Sequence, residues 1–455
     1  MSLTDAQWQR WLSSPNAVRV TVAELEHADG VEQVSDRGYL APASERLARP
    51  RYAGLLIEAV GIETRIDGAI TFGDIRLIDD GEITHWRDYR WDGHPVRLYL
   101  GAPDWPRGDF RQIASAINDG IQSAERGEIV LGVVDASSVL EQPIDTGQLP
   151  YDGGPVPLLL GQCYNVPAFR DESTTLHYRI SYLPLLGVTP RQLGYEEPYT
   201  PDLDNGGFTL SNNPGTSSDI TAGGHEQHDT PAAMIQWIAD HYGLTVGTVD
   251  LPDVTVGYYS NGETSGRDIL DRLCEGLGAH WYLDALGRLT ARVLREPSAT
   301  PDVTLTRDDI VDGTLALDRT EAPWPKLTFR WQRNDATLRT VAGDIMVNAP
   351  ETEARLQRDW NESVAEQALT GYPRAEPVTR ESLLQIAAEA AAERDRLLAL
   401  YAERRDVYRV DSYRIDLQLH QTITINEPPL LGRVGRIIAV NRSTAEGLAQ
   451  LEIWL

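Results

Sequence analysis

Between His228 and Leu294 the sequence leaves few alternatives. Thr230-Pro231 reads as a helix start: threonine caps well, and proline at the first helical position gives up only an amide that would be unpaired anyway. Met234, Ile235, Ile238 and Tyr242 then recur at helical spacing, and Gly243 ends the element. A second helix is expected from Ser265, whose hydroxyl can cap the amide near Asp268 as in a capping box. Its apolar face is Ile269, Leu270, Leu273, Cys274 and Leu277, closed by Gly278. Trp281-Tyr282-Leu283, the turn Asp284 to Gly287, and Leu289 to Leu294 predict a hairpin. Two short helices feeding a hairpin, with no evident reactive group, point to architecture rather than chemistry.

The rest of the chain is read around this module. Thr4 caps an expected short helix over residues 4–12, with Trp8, Trp11 and Leu12 on one face, to dock on its own domain or a neighbour. Val18 to Leu25, Leu55 to Val60, Ile70 to Leu77, Val96 to Leu100, Phe110 to Ile117 and Ile129 to Val134 read as strands. Asp67-Gly68, Asp80-Gly81, Asp92-Gly93 and Arg126-Gly127 mark turns between them. Val156 to Leu160, Tyr178 to Tyr182 and Phe208 to Leu210 are strand candidates in an extended connection, and Asn212 to Gly224 reads as a loop. Short strands follow within Val303 to Leu317 and at Lys326 to Trp331, and Val341 to Ala375 is irregular. Thr379 is expected to cap the longest helix, Arg380 to Arg405, followed by an alternating strand Tyr413 to Leu419. A last hairpin pairs Arg436–Val440 with Ala449–Leu455. The expected fold is α+β and mainly β: tandem β-barrel or sandwich domains, a helix–hairpin module and one long C-terminal helix. The expected domains are 1–145, a barrel-like β domain; 146–225, an extended connector or small β domain; 226–300, the helix–hairpin module; and 301–455, a second β domain carrying helix 380–405.

Composition excludes several functions. At 455 residues the chain holds roughly three cores, and no run approaches the ~20 apolar residues of a membrane helix. Met1 to Asp5 shows no basic region before an apolar stretch, so no secretion signal is expected. Two cysteines, Cys163 and Cys274, make no disulfide framework, which suits assembly in a reducing cytoplasm. A net charge of −27, with Lys326 the single lysine, argues against gripping duplex DNA. Solubility accounts for such a charge; so does a surface that nucleic acid passes without sticking.

Candidate chemistry is sparse. In Gly224-His225-Glu226-Gln227-His228-Asp229 the histidines are three apart in a loop, unlike the four-apart helical pair of zincins, and no third ligand is apparent. Cys163 sits in an extended stretch rather than at a helix start, and Cys274 lies on an apolar helix face, so neither reads as a nucleophile. The 68 acidic residues supply too many carboxylate pairs to rank for glycoside cleavage, which needs a defined separation. No Gly-x-x-x-x-Gly-Lys phosphate loop is present. Trp86, Trp91 and Trp105 can stack sugar rings, although core packing is the commoner fate. No catalytic, cofactor-binding or metal-binding residue is expected, and pure protein should contain no stoichiometric zinc or iron by elemental analysis.

Several segments nevertheless line up. Gly73 to Leu77, Trp91 to Trp105 (WDGHPVRLYLGAPDW) and the strand ending at Asp135 resemble the first domain of hub proteins from long-tailed bacteriophages. The connector Leu158 to Pro167, the helix–hairpin 265–294 and Gly432-Arg433-Val434-Gly435 are similar to theirs too. The likeness is to the baseplate or tail-tip hub family, particularly of siphophages whose tail genes resemble those of gene transfer agents. It spans nearly the whole chain and rests on pattern and order. The chain lacks the cysteine cluster that holds an iron–sulfur centre in one branch, so no cluster is expected. The resemblance implies a non-enzymatic virion protein assembled in the host cytoplasm. It implies a homotrimer whose two barrel-like domains per subunit form a pseudo-sixfold ring. That ring would join tail tube and distal tail proteins to a tail-tip fibre or spike, with tape measure protein and DNA passing through its lumen. The rival readings are a distal tail or receptor-binding protein and a tail-associated hydrolase.

Overall fold

A computed structural model describes residues 3–455 except 15, 43–49, 57–60, 67–69, 216–218 and 444–446. The architecture is mainly β, with sheets in three regions and helices concentrated in the middle. The first sheet has six strands in the order Gly30–Ser35, Val20–His27, Pro95–Gly101, Arg111–Ser123, Glu128–Asp135 and Ile75–Ile78. Alternate residues of these strands, including Ala23, Leu25, Val96, Leu98, Ile129 and Leu131, point into one core that Trp86 and Trp91 complete. The burial follows from the two-residue period of a strand, which sends every second side chain to the same face. The expected strand Ile70 to Leu77 divides in two, Ile70–Phe72 and Ile75–Ile78, which join different sheets. The expected strand Leu55 to Val60 and the turn Asp67-Gly68 fall largely outside the described residues, and Leu56 forms an isolated bridge to Leu77 while its amide donates to the Ser35 carbonyl.

The division carries the main architectural consequence. Gly61–Arg65 pairs antiparallel with Val434–Ser443 near the end of the chain, so a piece of the N-terminal segment extends the C-terminal sheet. That eight-stranded sheet also takes Val303–Leu305, Ala316–Glu321, Arg405–Ser412, Thr422–Ile425 and Leu448–Trp454. The expected last hairpin is present, its tip outside the described residues. Helix α1, Asp5–Leu12, forms as expected under a Thr4–Gln7 capping box and buries Trp8 and Leu12 in the core of this distant sheet. The two ends of the chain are therefore packed together.

The middle module forms as the sequence predicts. Helix α2 is Pro231–His241, with the Thr230 hydroxyl accepting from the Ala233 amide at 3.3 Å. Helix α3 is Gly266–Gly276, with the Ser265–Asp268 capping box complete. Ala279–Leu283 and Leu289–Val293 make the hairpin, and Val246–Asp250 adds a parallel strand. Gly243 and Gly278 turn the chain at positive φ, +66° and +51°, where a side chain would be strained. Ser265→Ala is expected to cost about 1 kcal/mol, read as a lower denaturant midpoint with unchanged slope.

Three segments differ from expectation. Ile220–His225 is a strand inside the expected loop Asn212 to Gly224, paired on both sides, with Gly187–Gln192 and with Leu158–Pro167. Two-sided pairing satisfies its backbone despite a Gly-rich sequence of weak strand propensity. The irregular region contains short helices α4, Gly343–Asn348, and α5, Pro350–Leu356, and a strand Asn361–Glu366. Thr379 does not cap a helix: Val378–Glu381 is a strand parallel to Lys326–Trp331, and helix α6 is only Ala387–Leu400. Residues 378–381 complete a sheet that would otherwise be a two-stranded ribbon, and that tertiary gain overrides their helical pattern. At the other end Arg405 is taken into a strand that begins there.

Candidate functional site

The residues weighed for chemistry are committed to structure. Glu226 is 1% exposed, and its carboxylate accepts the Gly161 amide at 3.1 Å, the His228 amide at 2.9 Å and a contact from His228 Nδ1 at 2.7 Å. His225 turns instead to Asp229, 3.0 Å from Nε2 to Oδ2. The two imidazoles thus face different carboxylates, and Glu226 ties the segment ahead of α2 to the connector strand at Gly161. Cys163 lies buried in the strand Leu158–Pro167, where burial, then the charges of Asp335 and Glu226, push its thiol well up. Burial likewise raises Cys274 on the inner face of α3. Both shifts disfavour the thiolate that a nucleophile requires. Trp86 and Trp91 are core residues with ring centroids 6.0 Å apart, and Trp105 packs on Trp11 at 4.5 Å.

What the fold does bring together is a cleft of about 410 Å³ where five parts of the chain meet. Its walls are Trp8 and Leu12 of α1, Arg111 and Ile113 of the first sheet, Ile62 of the inserted strand, the middle hairpin, and the segment after Arg405–Ser412. Sequence analysis gave that last segment, Tyr413 to Leu419, as a strand. The alternation holds in burial, since Ile415, Leu417 and Leu419 are buried in the C-terminal core, but among the described residues no neighbouring strand pairs with it. The Arg442 guanidinium takes the place of a partner strand. Its Nε donates to the Ile415 carbonyl at 3.1 Å and its Nη2 to the Leu417 carbonyl. Burial holds Arg442 down to about 10, against the nearby charge of Asp416. Asp416 is itself held by Arg414 through two hydrogen bonds of 2.7 Å.

Arg292 of the strand Leu289–Val293 lies on the same lining and interacts with the Tyr282 hydroxyl. The Tyr282 ring stacks on His420, with centroids 6.3 Å apart and planes inclined by 20°. His420 is 4% exposed, and among the described residues its Nε2 has no hydrogen-bond partner. Burial, then the neighbouring Arg292, His280 and Arg436, lower its pKa to about 3, so the ring is neutral. None of Arg442, Arg292 or His420 stood out in the sequence. Their roles arise from residues far apart in the chain, and only the alternation at Tyr413 to Leu419 hinted that Arg442 had carbonyls to satisfy.

No protein-family model matches the chain, and no curated protein matches it. Solved structures do. The chain is similar to the 43 kDa tail protein of prophage MuSo2 from Shewanella oneidensis, at 13% identity and TM-score 0.45, covering 96% of this chain and 98% of that one. It is similar to a tail protein from Neisseria meningitidis at 11% identity and TM-score 0.43, covering 96% of each chain. A chain of the native gene transfer agent virion matches at 15% identity and TM-score 0.45, over 69% of this chain and 88% of that one.

Proposed function

We propose that this chain is a structural, non-enzymatic protein of a phage tail tip, the central hub that joins the tail tube to the terminal fibre or spike. The observation that carries the reading is the pairing of Gly61–Arg65 with Val434–Ser443, together with α1 docked in the C-terminal core. These contacts fasten two β cores into one body, as a ring of two β domains per subunit requires. The hub resemblance in the sequence supplies the rest. Three copies would then place six β domains around an axis, with tail tube and distal tail proteins above and a fibre or spike below. On this reading the functional residues are those that hold the domains in register, and no metal or cofactor is needed.

The test is assembly. The purified chain, or tails rebuilt around it, should show threefold symmetry in particle images, with the chain surrounding the axis. A chain found only on the outer face of the tail would make it a distal tail or receptor-binding protein. Turnover of purified peptidoglycan or capsule, abolished by a single substitution, would make it a hydrolase.

The charge gives a second test of the same reading. Duplex DNA carries one negative charge per ~1.7 Å, so basic residues on an axial lumen would retain it. In the assembled ring, Asp and Glu should outnumber Arg on the lumen more than they do on the outer surface. A lumen without that excess would leave the −27 charge to solubility alone and the hub assignment intact.

A further inference from the structure

We propose that the cleft between α1, the middle hairpin and the Tyr413–Leu419 segment binds an acidic, leucine-rich peptide segment of a partner protein. Four arginines line the cleft, Arg111, Arg288, Arg292 and Arg442, against two aspartates, Asp284 and Asp416, in a chain whose net charge is −27.

The two aspartates are already engaged. Asp284 holds Arg288 at 2.6 Å and accepts the amides of Leu286 and Arg288, while Asp416 holds Arg414. Arg111 pairs with Asp5. Arg292 and Arg442 remain. Among the described residues neither has a carboxylate within 4.0 Å; Arg442 bonds backbone carbonyls, and the Nε of Arg292 is buried without a hydrogen-bond partner. Asp250, opposite Arg292 in the strand register, is occupied by Arg295 at 2.7 Å.

Behind the wall, the neutral His420 ring stacks on the cleft-lining Tyr282 beside Arg292, His280 and Arg436 and brings no counter-charge to them. A partly buried charge is costly unless it is paired, and among the described residues neither half-buried guanidinium is in ion-pair contact with a carboxylate, the charge of Asp416 acting on Arg442 only from nearby. A carboxylate supplies the counter-charge with directed, charge-assisted hydrogen bonds.

The walls decide what carries the carboxylate. Trp8, Leu12, Ile62, Leu283 and Leu286 make much of the lining apolar, which suits aliphatic side chains and gives an isolated oxyanion little to bind. The volume is in the range of small ligand pockets and far too small to admit a duplex. This assignment stands whether or not the chain is a tail hub.

The probe is a short capped peptide alternating aspartate and leucine, labelled for fluorescence anisotropy, against the intact chain. Saturable binding is expected, weakening as salt rises, with the asparagine–leucine counterpart at least about tenfold weaker. Arg292→Gln should weaken binding about tenfold, and Arg288→Gln at the rim about threefold. Circular dichroism establishes whether each variant is folded; if Arg292→Gln is not, the salt series and Arg288→Gln decide. Equal binding of the neutral peptide, absence of saturation, or a folded Arg292→Gln with wild-type affinity would overturn the proposal. Displacement of the peptide by an equal concentration of inorganic phosphate would also overturn it, in favour of a small-anion site.

Discussion

Replacing Leu273 with aspartate is expected to unfold the middle module and leave the protein insoluble or lacking a cooperative melt. Leu273 is 1% exposed and sits on α3 among Ile269, Leu270, Met234 and Trp281. The substitution removes a buried aliphatic side chain and inserts a carboxylate with no partner, together about 4 kcal/mol or more. The same core includes Leu397 and Leu398 of α6 and Leu327 and Phe329 of the neighbouring sheet, so the damage spreads beyond α3. Leu273→Met keeps the volume and should cost under about 1.5 kcal/mol. Thermal melts of the two variants side by side check this, and a wild-type melting temperature for Leu273→Asp would refute the assigned core.

Glu452→Ala is expected to have the second largest effect, because Glu452 ties three strands. It is buried on Leu448–Trp454, accepts from Arg65 at 2.9 and 3.2 Å, from Arg319 at 2.9 Å, and lies 3.8 Å from Arg409. Arg65 belongs to the inserted N-terminal strand and Arg319 to the edge strand Ala316–Glu321. Removing the carboxylate leaves these arginines without their common partner. A fully buried pair would lose about 3–5 kcal/mol, but the arginines keep partial access to water, so about 2–3 kcal/mol is expected.

Burial by itself raises the Glu452 carboxyl, and hydrogen bonds and charge from Arg65 and Arg319 more than reverse this, so its pKa falls below the ordinary 4.5. A depressed carboxylate contributes stability that is complete above the unfolded-state pKa and is lost as pH falls through the folded-state value. Urea midpoints should therefore drop below about pH 4.5 in the wild type and drop less in Glu452→Gln. Parallel midpoint–pH curves for the two proteins would sink this account.

Much of the fold was legible locally. The Ser265–Asp268 box, the Thr230-Pro231 start, the glycines at positions 243 and 278, and the Asp284–Gly287 turn all act within a few residues of themselves. Their physics is complete in the sequence, and the middle module could be read from it. Core strands such as Val96 to Leu100 were legible for the same reason, since a two-residue alternation already says which face is buried.

Only the tertiary structure decided the rest, because those features depend on which distant segment supplies the missing half of an interaction. Residues 61–65 carry no mark that they will pair with 439–443, nor Trp8 that its core lies some four hundred residues on. Arg380 and Glu381 are good helix formers that became a strand because Lys326–Trp331 offered a backbone to pair with. Tyr413 to Leu419 kept its alternation yet pairs with no strand among the described residues, and Arg442 reaches the Ile415 and Leu417 carbonyls instead. The cleft is the extreme case: its arginines come onto one lining only when folding brings distant segments together, with Asp284 and Asp416 held by Arg288 and Arg414. Sequence determined the local elements and their buried faces. Long-range pairing determined which elements share a sheet and which charges meet.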